Sequence, residues 1–152
     1  MKKNFLMFQE VRKIFSDYLE KKSLRKTQER FNILKIIYER EDHFDAEDLY
    51  IWIKNNNYNI SRATVYNTLE LLNDCELVTK HQFGGNLSKY EKCYGYRQHD
   101  HVICIECRNV VEFCDPRIYQ IQKKVEELLN FTIHHHSLNL YGLCPNCKKL
   151  KN

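Results

Sequence analysis

The chain has 152 residues, 43% of them hydrophobic and 29% charged, with a net charge of +4. That length suits one domain of ordinary size or two small ones, and a half-length domain has a marginal core by itself. No apolar run approaches the ~18 residues of a membrane span, and the start, MKKNFLMFQEVRKIF, turns polar before a signal-like apolar core forms, so a cytoplasmic protein without a membrane partner is expected.

In chain order, residues 5–22 and 28–40 place apolar side chains at helical spacing: Phe8, Val11, Ile14, Phe15 and Tyr18, then Phe31, Leu34, Ile37 and Tyr38. Thr27 stands as N-cap of the second helix. Between the two lies KKSLRKTQER, with Lys21, Lys22, Arg25, Lys26 and Arg30 against one acid, and an acidic block from Glu39 to Asp48 follows. A solvated face explains such runs as well as a partner does, and a charge of +4 alone does not announce nucleic acid. Asp45 is placed to cap a third helix carrying Leu49, Ile51, Trp52 and Ile53, and Ser61 a fourth running to about Asp74.

In the fourth helix Val65, Leu69 and Leu72 form a core stripe, while Ala63, Tyr66, Asn67 and Glu70 lie opposite. A small residue flanked by Tyr and Asn suits a major groove, where Asn can bond adenine and Tyr can reach a phosphate or a thymine methyl. An ordinary surface helix has the same pattern, and Glu70 is unwelcome near phosphates. LVTKHQF, the turn GGN and LSKYEK then read as a β-hairpin. Helices followed by a two-stranded wing are the ingredients of a winged helix-turn-helix.

Beyond a junction near residues 94–97 the period changes to two. HVICIEC and NVVEF can pair, Asp115 and Pro116 supply N-cap and first position of a helix with Ile118, Ile121, Val125 and Leu128 on one face, and TIHHHSLNLYGLC provides a third strand. Four of the seven cysteines form two C-x-x-C pairs, CIEC and CPNC. Two such turns supply the four thiolates of a closed tetrahedral zinc site. A rubredoxin-like iron centre uses the same ligands, and redox or packing cysteines are the plainer alternative. The odd number of cysteines argues against a disulfide framework.

The ordered set AEDLY, SRATVYNTLELL, HDHVICIEC, VVEF and HSLNLYGLC, from about Leu24 to Cys147, resembles the ferric uptake regulator family. The resemblance implies an α+β fold: an N-terminal winged helix-turn-helix domain (1–93), a hinge (94–97) and a small C-terminal α/β dimerisation domain (98–152) with a three-stranded antiparallel sheet. It implies a homodimeric, metal-dependent repressor of a double-stranded DNA operator, an AT-rich inverted repeat, and no enzyme. By the same resemblance Cys104, Cys107, Cys144 and Cys147 correspond to structural Zn(II) ligands. The regulatory site maps onto His43, Glu91, His99 and His101, with Glu112 as a further carboxylate, so its ligands come from both halves. A third family site falls on Gln98, Asp100, Tyr119 and His136. His and Glu are usual at the first and third of these positions, so the site is expected empty or weak, with Asp100 and His136 its remaining ligands.

The DNA contacts carry over as Arg25 in a minor groove, Arg30 on a phosphate, Tyr66 on the recognition helix with Arg62 near its start, and Asn67 where arginine is common. For the regulatory ion, imidazole and carboxylate accept Fe(II), Mn(II), Co(II) or Zn(II). Family analogy favours Fe(II), and Glu112, where the peroxide-sensing branch carries aspartate, favours iron over peroxide sensing. Zinc-, nickel- and haem-responsive regulators, the last through a thiol such as Cys93, are the alternatives within the family. Outside it stand a zinc-pinned protein-binding module, which would show no metal-dependent DNA affinity, and a metallohydrolase, which would need a cleft and a general base and would leave the winged-helix pattern unexplained.

Overall fold

The computed structural model describes residues 2–84, 88–95 and 98–150, with side chains from residue 6 onward. The chain divides into two compact units, Met1–Arg97 and Gln98–Asn152. The hairpin tip at Gly85 and Asn86 and the last two hinge positions, Tyr96 and Arg97, lie outside the described residues.

The first unit runs α1 (Lys2–Lys21), α2 (Gln28–Glu39), α3 (Ala46–Asn55), α4 (Arg62–Asp74), β1 (Val78–Gln82) and β2 (Ser88–Lys92). Thr27, Asp45 and Ser61 each accept a backbone N–H from the first turn of the helix they precede, which satisfies a donor that the helix cannot pair itself. The ends are closed in another way. Leu24, Tyr58 and Leu77 donate their N–H five residues back, to Leu19, Ile53 and Leu72, across Ser23, Asn57 and Glu76 in the left-handed region. These are Schellman closures made without glycine, each followed by an apolar residue that packs back on the helix. Val11, Phe15 and Leu19 of α1, Ile33, Leu34, Ile36 and Ile37 of α2, and Val65, Leu69 and Leu72 of α4 belong to one buried cluster. The expected stripe of α4 is therefore core, and Tyr66, Asn67 and Glu70 are exposed. β1 and β2 pair antiparallel from Val78↔Lys92 to Gln82↔Ser88, completing the winged helix-turn-helix.

The second unit runs β3 (Asp100–Cys104), β4 (Val110–Phe113), α5 (Pro116–Leu129), β5 (Asn139–Gly142) and α6 (Pro145–Leu150). Asp115 caps α5 as expected and Pro116 opens it. β3 lies centrally, in the order β4-β3-β5. It pairs antiparallel with β4, with His101↔Glu112 in register, and parallel with β5, with His101↔Asn139 and Cys104↔Gly142. This corrects the expected all-antiparallel sheet: β4 reverses the direction of β3, and the long connection through α5 reverses it again and brings the chain to the other edge of β3, so β5 runs parallel to β3. It also shortens the third strand to four residues, since 131–138 has no regular structure. α6, which starts inside the second C-x-x-C and carries Cys147 in its first turn, had no periodic signal.

Ser61→Ala is expected to destabilise the first unit by about 1 kcal/mol and Leu69→Ala by about 2–5 kcal/mol. Urea unfolding followed by the fluorescence of Trp52, the single tryptophan, measures both.

Candidate metal centres and nucleic-acid interface

The two C-x-x-C turns meet at one end of the β3–β5 sheet. After Cys104 the chain reverses through a turn in which Arg108 is left-handed, with Arg108 N–H donating to the Cys104 carbonyl at 3.0 Å and Cys104 N–H to that of Asn109 at 2.9 Å. Ile105 N–H then bonds the Gly142 carbonyl at 2.9 Å, which ties one turn to the strand leading into the other. The Sγ atoms of Cys104, Cys107, Cys144 and Cys147 all lie within 4.8 Å of one another, and all seven cysteines are free. The backbone N–H of Cys144, then that of Cys107, lowers the Cys104 thiol to about 6, while hydrogen bonds from Cys147 to the sulfurs of Cys144 and Cys107 raise its thiol to about 12. Full deprotonation of the tetrad would gather four negative sulfurs within this spacing. Four like charges at this spacing repel, and a divalent cation relieves that repulsion.

Within the first unit, His43 and Glu91 are brought together by backbone pairing. Phe44 forms a two-way β-bridge with Tyr90, at 3.1 and 2.7 Å, so the residues beside each, His43 and Glu91, become neighbours. His43 Nε2 lies 3.0 Å from Glu91 Oε2. The other carboxylate oxygen, Oε1, lies 2.5 Å from His81 Nε2. His81 was not among the expected site residues: a lone histidine in a strand is unremarkable until the hairpin register places it diagonal to Glu91. Within the second unit, the rings of His99 and His101 are 4.9 Å apart, edge to face, and Glu112, opposite His101 on β4, has Oε1 3.7 Å from His99 Nε2.

The positions of the altered third site are joined to each other. Asp100 is buried; its Oδ1 accepts the Leu138 N–H at 3.0 Å and its Oδ2 lies 3.2 Å from His136 Nε2. His136 Nδ1 faces Gln122 Oε1 at 3.1 Å, Gln98 donates to the His136 carbonyl, and the Tyr119 ring stands edge-on to His136 at 5.8 Å. His134 and His135 are exposed.

Of the candidate nucleic-acid contacts, Arg25 is exposed in the segment between α1 and α2, and Arg30 in the first turn of α2 donates to its carbonyl. Arg62 opens α4, pairs with Glu47 Oε1 at 2.9 Å and lies over the Tyr50 ring at 5.0 Å. Tyr66 donates to Glu47 Oε2 at 3.4 Å, and Asn67 is exposed on the same helix. Glu70, the unfavourable acid on this face, accepts from Lys80 Nζ at 3.1 Å and Tyr90 Oη at 3.2 Å, so its charge is turned toward the wing and partly neutralised.

Compared with known proteins, residues 21–141 match the description "Ferric uptake regulator family". The chain belongs to the ferric uptake regulator family. The ferric uptake regulation protein of Legionella pneumophila is 36% identical over 134 residues, covering 88% of this chain and 98% of its own. Among solved structures, the Vibrio cholerae ferric uptake regulator is 36% identical, covers 83% of this chain and 96% of its own, and superposes with a TM-score of 0.70. The Francisella tularensis ferric uptake regulator, determined with iron, is 28% identical, covers 82% and 95%, and has a TM-score of 0.73. Membership makes the chain a metal-responsive transcription regulator and not an enzyme. Among the described residues no helix is long and apolar enough to cross a membrane.

The thiols outside the tetrad separate from it chemically. Burial pushes the Cys75 thiol up from 9 to about 11, and that of Cys93 upward too. At pH 8 this leaves Cys75 with a thiolate fraction ~100-fold below that of an ordinary thiol. Alkylation of the chelator-treated protein, mapped by mass spectrometry, is expected to label the exposed Cys107 and Cys114 first and Cys75 and Cys93 last.

Proposed function

We propose that the protein is a homodimeric cytoplasmic repressor that binds an AT-rich inverted-repeat operator when its regulatory site holds Fe(II), for which Mn(II), Co(II) or Zn(II) can substitute, and that Cys104, Cys107, Cys144 and Cys147 hold a structural Zn(II). The observation that carries this reading is the division of the regulatory ligands. His43 and Glu91 are already paired in the first unit, and His99, His101 and Glu112 are gathered in the second. Imidazole nitrogens with carboxylate oxygens suit a divalent first-row metal, and four closely spaced sulfurs suit zinc. A bound divalent ion supplies charge and directional bonds that only one relative orientation of the two units can satisfy.

The chain's own residues do the rest. Where that orientation sets two recognition helices at operator spacing, linkage requires metal and DNA each to tighten the other's binding by the same factor. The choice of iron rests on Glu112 in place of aspartate and on relatives named for ferric uptake regulation; affinity order alone would favour zinc, so cellular supply decides. Arg25 and Arg30 serve the phosphates and a narrow minor groove, and Arg62, Tyr66 and Asn67 serve the operator face.

A second copy is supported by what the C-terminal unit leaves uncovered. Leu140, Val102 and Val111 stand in one row across the sheet, 46, 39 and 53% exposed, and Ile121 and Leu128 on α5 are 61 and 81% exposed. Apolar surface of this extent marks an association site, and a two-fold pair explains an inverted-repeat operator. The domain roles follow, with 1–93 binding DNA, 94–97 as hinge and 98–152 as dimerisation domain.

The altered third site is proposed to hold no ion, because Gln98 and Tyr119 bind divalent metals poorly and the donor atoms of Asp100 and His136 are engaged in the network with Gln122 and the Leu138 N–H. Metal counting on purified protein is expected to find one thiolate-bound zinc and one exchangeable ion per chain; three tightly held ions would contradict this.

The deciding experiment is an anaerobic titration of operator binding against Fe(II), Mn(II), Zn(II) and chelator. A tightening of roughly 5- to 150-fold is the usual scale of such coupling. His43→Ala and His101→Ala are expected to abolish the metal response while keeping thiolate zinc and the dimer. Arg25→Ala should flatten the log–log salt dependence by about one unit for each phosphate the arginine had neutralised. Operator affinity that is unchanged on removing the exchangeable ion would overturn the reading.

A further inference from the structure

We infer that His81 is a positioning residue for the regulatory site: it holds Glu91 Oε1 so that the carboxylate presents only Oε2 toward an ion bound with His43. The inference rests on the regulatory role proposed above for His43 and Glu91 and concerns the first unit alone.

Three observations carry it. Glu91 is bracketed, with His43 Nε2 at 3.0 Å from Oε2 and His81 Nε2 at 2.5 Å from Oε1, so each oxygen has its own imidazole. The arrangement is also built by the hairpin: Thr79 pairs with Glu91 and His81 with Lys89, so His81 and Glu91 lie diagonally on one face, within reach for long side chains. Finally, the His81 ring is stacked on the buried ring of Phe83, with centroids 5.3 Å apart and planes 6° from parallel. A ring clamped in this way offers its Nε2 in one direction only.

The chemical consequence concerns how Glu91 binds. A glutamate with both oxygens available can chelate an ion through two bonds or swing between one and two. An N–H bound to one oxygen removes that oxygen from the ion and fixes the plane of the carboxylate, leaving a one-bond ligand of set direction. Partners that orient metal ligands in this manner contribute 10- to 100-fold in metal affinity. One-bond glutamate ligation also lowers the coordination number, which bears on which divalent ions the site favours.

The test uses the full-length, zinc-loaded protein with Co(II) as probe for the exchangeable site, read by competition titration and by the visible d–d absorption, whose intensity falls as coordination number rises. His81→Ala is expected to weaken Co(II) binding about 10- to 100-fold and to lower the d–d intensity as Glu91 becomes a two-bond ligand. His81→Gln, which restores an N–H near the position of Nε2, is expected to recover most of the affinity and the wild-type spectrum. Trp52 fluorescence and retained thiolate zinc verify folding in each variant. An Ala variant with wild-type affinity and spectrum overturns the inference. So does loss of the ion by both Ala and Gln variants to the extent seen in His43→Ala, which would make His81 a ligand. If His43→Ala itself retains the ion, the site assignment fails and the positioning role fails with it; if His43→Ala loses the ion while His81→Ala is silent, only the positioning role fails.

Discussion

The C-terminal unit lacks an apolar core of its own. Among its described residues the buried hydrophobic side chains are Ile103 and Cys104, and α5 buries none. A segment this small cannot offset the conformational entropy of ordering its chain by apolar burial alone. It is held instead by cross-links between distant parts: the β3 ladders, the sulfur tetrad that brings two turns together, and the polar network in which Asp100 grips both Leu138 N–H and the His136 ring. Everything proposed for this unit follows from that shortage. In the proposed reading a thiolate-bound ion would supply stability that the core does not, and a second copy would cover the apolar row and the helix face that one chain leaves in water.

The N-terminal unit is the opposite case. Its helices share a continuous buried cluster, and that rigidity allows polar side chains to be set accurately on its surface. The Phe44–Tyr90 bridge is part of this packing, with stacked rings at 6.1 Å, and it is the reason His43 and Glu91 meet although they are far apart in sequence. Acids also organise the exposed face of α4. Glu47 holds Arg62 and Tyr66 together, while Glu70 is drawn to Lys80 and Tyr90 on the wing. An acid that reads as an obstacle to phosphate in the sequence is, in the fold, a strut between α4 and the wing.

The positions expected for a third site form a hydrogen-bonded network instead. Gln98 and Tyr119 stand where the resemblance leads one to expect His and Glu, and the segment 133–138 is tied to the start of β3 and to α5. Gln98 bonds the His136 backbone, Gln122 bonds both the His136 ring and the Ile133 carbonyl, and Asp100 completes the link. Hydrogen bonds among protein groups make here the connection that shared coordination to an ion would make.

Local physics made much of this protein legible in the sequence. Thr27, Asp45, Ser61 and Asp115 each cap the helix they precede because an N-cap depends only on a side-chain oxygen and the next turn. The stripe Val65, Leu69 and Leu72 is core because its spacing admits one buried face, and each C-x-x-C pair aims both its sulfurs to one side because a tight turn constrains them, whereas the meeting of the two pairs depends on β5 lying beside β3. What the sequence left open depends on which strands become neighbours and on backbone turns that carry no residue signature. The closures at Ser23, Asn57, Glu76 and Asn130 are of the second kind, since none uses glycine. The parallel pairing of β5 on β3 depends on the connection from β4 through α5 ending at the other edge of β3, which strand periodicity does not encode. His81 gained its place beside Glu91 only when the hairpin register set a residue of β1 diagonal to one of β2, and register is a property of paired strands rather than of either strand alone.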